Sequence, residues 1–382
     1  MRKTSTAGTA RDLKAIAAER FPLVPRPKPV CRSLQARVAR VCERAHLAAQ
    51  GADEPLIRAA EAHNLAALIA SDCGLPELAH SLCWRQFDVF LTASSLDAGT
   101  ARIALQPLIN LARLRIRDGD GITAYRMLDA LFNAVRSRTD VVIDGRTIQF
   151  GHLIGDDGHR EVIQWLWSVL LTDGTRALTR TGRWAEALQH TTQHNGIGNQ
   201  LLDGRQVAIL ARATAGNYDS ACRLLADTCT TTSWEETVTS CLNVLCLRLA
   251  DRPTSAATAT MLDRYLSFES EHVVFHVRLG LTVLDLAADH SDVPRVADVT
   301  VQAAVESGDA YAAQEVLAHE TCRPYAPVAL IEMVQFAGLG CATIPANLLE
   351  TLTASIRISE GIIATVLAGG AEGSREWPAV GP

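Results

Sequence analysis

Aromatic residues make up only 5% of the 382 positions, and lysine is scarcer still, present only as Lys3, Lys14 and Lys28. No uninterrupted apolar run reaches 18 residues, the length a membrane-crossing helix needs. The chain has no Gly-x-x-x-x-Gly-Lys phosphate loop, no nucleophile elbow and no dinucleotide-binding glycine turn, which excludes the nucleotide-binding and hydrolase classes those motifs define. Ten cysteines are present without any Cys-x-x-Cys. The nearest pairs, Cys222/Cys229 and Cys241/Cys246, lack the spacing of a zinc knuckle or redox loop, so reduced, buried thiols are expected and no metal or cofactor. The opening MRKTSTAGTARDLK is basic but is followed by no apolar stretch or small-residue cleavage site, so a cytoplasmic protein is expected.

The composition is that of a folded protein, 48% hydrophobic and 20% charged. The net charge of -6 is unevenly spread: residues 1–45 hold 11 Lys+Arg against 3 Asp+Glu, and the remainder is acidic. An acidic body disfavours nucleic acid as a partner. Residues 1–32 read as a basic arm with a short amphipathic helix over 9–20, presenting Leu13, Ile16 and Ala17 on one face. Prolines 22, 25, 27 and 29 then impose extended geometry. Residues 33–368 read as a single helical domain, and 369–382 as a loose tail.

Within the body a turn residue is followed five positions later by alanine at Gly74/Ala79, Gly119/Ala124, Gly182/Ala187, Gly216/Ala221, Asp251/Ala256, Asp292/Ala297 and Gly308/Ala313. A turn residue ends one helix, and a small residue early in the next lets the two cross closely, so the pattern predicts helical hairpins in series. The series is interrupted at 136–161. There VVI, Asp144-Gly145 and TIQF predict a β-hairpin, because Asp-Gly suits a two-residue turn.

GRWAEAL at 182–188 and GNYDSAC at 216–222, with steps of 34 and 35 residues from Gly182 to Gly216 to Asp251, resemble the tetratricopeptide repeat family. The likeness is clearest over 170–255. It implies an all-α, right-handed solenoid of stacked hairpins, with Trp184, Ala187, Tyr218 and Ala221 between helices. It also implies a concave groove lined from the first helix of each hairpin, at positions that hold Glu61, Asn64, Gln106, Arg113, Thr172, Arg176, Asp203, Gln206 and Arg248. The Lys and Asn pattern with which that family clamps a C-terminal carboxylate is absent.

Two clusters carry titratable chemistry. Asp156, Asp157, His159, Arg160 and Glu161 in the insertion include candidates for acid/base work, Asp157, His159 and Glu161, and equally form an ordinary acidic helix start. His190 and His194 lie one helical turn apart without the intervening Glu of a metalloprotease helix. The function expected is a scaffold or sensor that holds a peptide or partner protein in its groove, as an accessory or regulatory subunit of a bacterial assembly. The alternative is an enzyme with its site between the insertion and the groove. Homodimerisation through the arm is a further expectation, and no membrane partner is expected.

Overall fold

The computed structural model describes residues 12–369 apart from 52, 94, 288 and 289, so the expected tail falls, save Gly369, outside the described residues. Regular structure here is almost entirely α-helical, with a two-stranded antiparallel sheet of Val141–Ile143 and Arg146–Ile148. Val141 faces Ile148 and Ile143 faces Arg146, and the turn between them, Asp144 and Gly145, has positive φ at both residues, as the Asp-Gly signal predicts.

Where the sequence suggests one helical domain after an arm, the chain divides into two compact units, each discontinuous in sequence. Of the described residues, one takes 12–30 with Thr175–Glu332; the other takes Cys31–Gly174 with 333–369. Residues 12–30 of the arm are an integral piece of the first unit, with Ile16, Ala17, Phe21 and Leu23 all buried.

In the unit built from Cys31–Gly174, the Pro55–Asp72 helix buries Ala59, Ala60, Ala62, Ala66, Ala67 and Ala70. So many small residues let three helices pack on it: Leu34–Ala49, Pro76–Phe90 and Ala346–Gly369. The last is long and apolar enough to cross a membrane by length and composition, yet its inward stripe includes Ser355 and Ser359, and its Glu360 pairs with His63 and Arg85. The segment before it is tied down by backbone bonds from Gly340 to Asp72 O and from Ala342 to Cys73 O, both 2.7 Å.

In the other unit hairpins follow in order: Thr175–Arg180 with Trp184–Gln193, Asp203–Thr214 with Tyr218–Ala226, and Ser233–Leu249 with Ser255–Leu266. Val273–Ala287, Val293–Ser307 and Ala310–Ala318 then follow. Tyr265 is fully enclosed, stacked on His276 at 5.2 Å between ring centroids, with its hydroxyl 2.9 Å from Thr300 Oγ1.

Six of the seven turn residues adopt left-handed backbone; Asp292, at φ -86°, instead precedes the first residue of its helix. The alanines behave as the spacing predicts at 79, 124, 187, 221, 297 and 313, which are all fully buried, whereas Ala256 is exposed. The reason is local. After Gly182 and Gly216 the next helix starts two residues on, at Trp184 and Tyr218, but after Asp251 it starts at Ser255, so the inward position moves from Ala256 to Thr258. Trp184 is buried and Tyr218 is half-buried.

Candidate functional site

Residues 12–30 lie along the unit that contains 175–332, held as a peptide would be. Asp12 caps the Leu13–Arg20 helix by accepting from Lys14 N at 3.0 Å. The helix turns Ile16, Ala17 and Arg20 inward. Beyond Phe21 no helix continues until Leu34, and the prolines keep the strand extended while Phe21 and Leu23 sink into the unit.

The backbone of Leu23 is recognised at both its polar groups by one side chain. Its N–H donates to Gln206 Oε1 at 2.8 Å, and Gln206 Nε2 donates to its carbonyl at 2.7 Å. A primary amide offers the same donor and acceptor pair as a peptide group, so Gln206 serves Leu23 as a neighbouring β-strand would. Gln206 is fully buried and gives its other amide hydrogen to Leu201 O at 3.1 Å. Three residues earlier on the same helix, Asp203 accepts from Arg26 at 2.5 Å.

The N-terminal side of this contact is electrostatic. Arg20 Nε donates to Asp285 Oδ2 at 2.7 Å, and His319 Nε2 lies 3.1 Å from Asp285 Oδ1, with the three side chains only 4%, 4% and 5% exposed. Burial alone would raise the pKa of Asp285. The His319 hydrogen bond and the Arg20 charge outweigh it and hold the carboxyl at about 2. Arg248 donates to the carbonyls of Leu286, at 3.1 Å, and Asp285, capping the open carbonyl end of the helix that carries Asp285.

Comparison of the chain with protein-family models, with curated proteins and with solved structures finds no match.

The groove positions expected from sequence therefore fall into two sets. Arg176, Asp203, Gln206 and Arg248 belong to the unit that holds the arm, where Asp203 and Gln206 contact it directly and Arg248 serves a helix end. Asn64, Arg113 and Thr172 belong to the other unit. There Asn64 accepts from Asn110 at 3.0 Å, Asn110 also accepts from Gln106, and Arg113 grips Asp173 through Nε at 3.0 Å and Nη2 at 2.8 Å. Asp173 lies in a π-helical turn, Leu170–Gly174, and Thr172 beside it is half-buried.

The titratable residues of the insertion are spread over separate contacts. Asp156 and Asp157 occupy the first turn of the Asp156–Val169 helix, with the Asp156 side chain 92% exposed and paired to Arg138. His159 Nε2 is 2.7 Å from Val135 O, and Glu161 accepts from Arg102 at 2.6 Å. His190 is buried with its ring 4.7 Å from that of His194. No group of three or more His, Cys, Asp or Glu with metal-binding arrangement occurs among the described residues.

Arg20, Leu23, Asp285 and His319 lie outside the groove positions and titratable clusters that the sequence indicates. A clue existed for Arg20, which continues the Ile16/Ala17 face at helical spacing. Nothing local marks Asp285 or His319, whose roles arise from contacts remote in sequence.

Proposed function

We propose that this chain is a helical-repeat binding protein whose hairpins stack as a tetratricopeptide-like solenoid, and that it holds an extended peptide segment of a partner protein in the groove of the Thr175–Glu332 unit. The observation that carries the reading is the two-point bond between Gln206 and the Leu23 backbone. Main-chain recognition of an extended segment, with neighbouring side chains in pockets, is a general way to bind peptides. The arm supplies such a segment: Arg20 into a buried carboxylate, Phe21 and Leu23 into the core, and Arg26 onto Asp203. A partner carrying a similar arginine, aromatic, proline and aliphatic order would use the same contacts. The setting that suits this role is an accessory or regulatory subunit of a cytoplasmic bacterial assembly.

A tethered arm competes at an effective concentration of about millimolar. The test is therefore a fluorescent peptide of residues 12–30 titrated into full-length protein carrying Arg20→Ala, which weakens the resident arm and leaves Gln206, Asp203 and Asp285 in place, with circular dichroism checking that the protein stays folded. Saturable binding that disappears when Gln206→Ala is added supports the reading. Binding unaffected by Gln206→Ala, or no binding in the Arg20→Ala protein, contradicts it.

A further inference from the structure

Next to the docked arm the Thr175–Glu332 unit contains a cavity of about 80 Å³, one wall of which is formed by arm residues between Glu19 and Lys28. The charge around it is one-sided. Arg26, Lys28, Arg176, Arg180 and Arg278 line it, against the carboxylates of Glu19 and Asp203 alone. Asp203 is engaged by Arg26 at 2.5 Å, and Glu19, 3.4 Å from Arg20, is shared among neighbouring cations, its charge acting on Arg278 as well.

Arg278 is the least satisfied member. Only 23% of its side chain is exposed, its Nε has no hydrogen-bond partner among the described residues, and a Glu315 carboxylate oxygen lies 3.8 Å away. Among the described residues its side chain donates from Nη2 to Glu19 O at 3.4 Å. Arg180 Nη1 donates to the same carbonyl at 3.1 Å. Two guanidinium groups thus converge on a single neutral acceptor, although each carries five N–H donors in a fork shaped for a planar or tetrahedral oxyanion. Burial pushes the Arg278 pKa down, aided by the neighbouring charges of Arg180 and Arg20 and opposed by Glu315 and Glu19. An anion placed between the two guanidinium groups relieves their mutual repulsion.

We propose that this cavity is a binding site for a phosphate group, either inorganic phosphate or a small phosphate monoester, held between Arg180 and Arg278 with Arg176 at its edge. Two converging guanidinium forks match the several oxygens of a phosphate group better than a single carboxylate, and the volume fits a small oxyanion with little water. Because Glu19 to Lys28 form part of the wall, a bound phosphate also favours the docked arm by mass action. The proposal does not rest on the peptide reading, since the arginines and the cavity are present whatever the groove accepts.

The test uses full-length protein in calorimetric titrations with inorganic phosphate, a simple alkyl phosphate and acetate, all at constant ionic strength. Saturable binding of either phosphate, with acetate far weaker, is expected; the first two ligands separate free phosphate from a monoester. Arg180→Gln removes an exposed side chain and leaves the core untouched, and is expected to weaken binding roughly tenfold, as befits a lost charge-assisted contact. Arg278→Gln is expected to weaken it at least as much while circular dichroism stays unchanged. The absence of saturable binding overturns the proposal, as does equal binding of acetate or undiminished affinity in the Arg180→Gln protein.

Discussion

Arg20 and Asp285 are 265 residues apart in sequence and meet at 2.7 Å, with each side chain only 4% exposed. The pair fastens the end of the Leu13–Arg20 helix to the helix Val273–Ala287, and so converts the arm from a leading segment into part of the unit's core. Removing one partner of a buried ion pair is far costlier than never having had the pair, because the other charge stays behind in a poorly solvated place.

Arg20→Ala is therefore expected to lower stability by about 3 kcal/mol or more, read from urea denaturation. The arm is also expected to become sensitive to limited proteolysis in its extended stretch, before the body of the protein is cut. An unchanged urea midpoint together with an uncut arm contradicts the role assigned to the pair.

The same contact makes a pH prediction. Asp285 titrates at about 2 in the folded protein, against 3.8 for an ordinary aspartate. A carboxyl whose pKa is lowered by folding contributes stability that is complete above about pH 4 and is lost as pH falls through 2. The contribution is about 2 kcal/mol. The stability difference between the native protein and Asp285→Asn is expected to shrink across that acid window and to be flat above it. A difference that persists undiminished to pH 2 contradicts the assignment.

Gly280 packs its helix onto Tyr265. A Cβ at this position meets the Tyr265 hydroxyl and Thr300 Oγ1 at distances no real contact allows. Alanine gains about 1 kcal/mol of helix propensity over glycine, but overpacking a rigid core costs about 1–3 kcal/mol and sometimes more. Tyr265 is enclosed on all sides and has no room to yield. Gly280→Ala is expected to lower the melting temperature, and adding Tyr265→Phe, which removes the clashing oxygen, is expected to restore part of the loss.

The cysteines divide by access. Burial pushes the thiols of Cys73, Cys83, Cys241, Cys246 and Cys322 up to about 12, so they hold essentially no thiolate at neutral pH. Cys229 and Cys341 are exposed. A thiol reagent applied to native protein is expected to label these two first, and all ten only after denaturation. Early labelling of Cys241, buried on every side, contradicts the packing described.

What was legible in the sequence is what depends on local chemistry. Gly182 and Gly216 end helices because only a left-handed residue closes the turn, and the alanines after them are small because two helices cross there. Asp144-Gly145 announces its hairpin for the same local reason. Ala256 breaks the rule because Pro253 and Thr254 delay the next helix, a detail that a fixed offset does not carry. The tetratricopeptide resemblance points to Gln206 as a groove position, but nothing along the chain names Leu23 as its partner. Pairings such as Arg20 with Asp285 join segments with no shared pattern, and the division into two discontinuous units follows from such pairings rather than from any signal along the chain.

Gln206 grips the extended backbone of the arm at Leu23, and the Leu23 amide reports on that grip most directly. Hydrogen exchange resolved at that amide is expected to be strongly slowed in the native protein and to approach the unprotected rate in Gln206→Ala, while the amides of the Leu13–Arg20 helix remain protected by their own bonds. Rapid exchange at Leu23 in the native protein, or protection that survives Gln206→Ala, contradicts the claim.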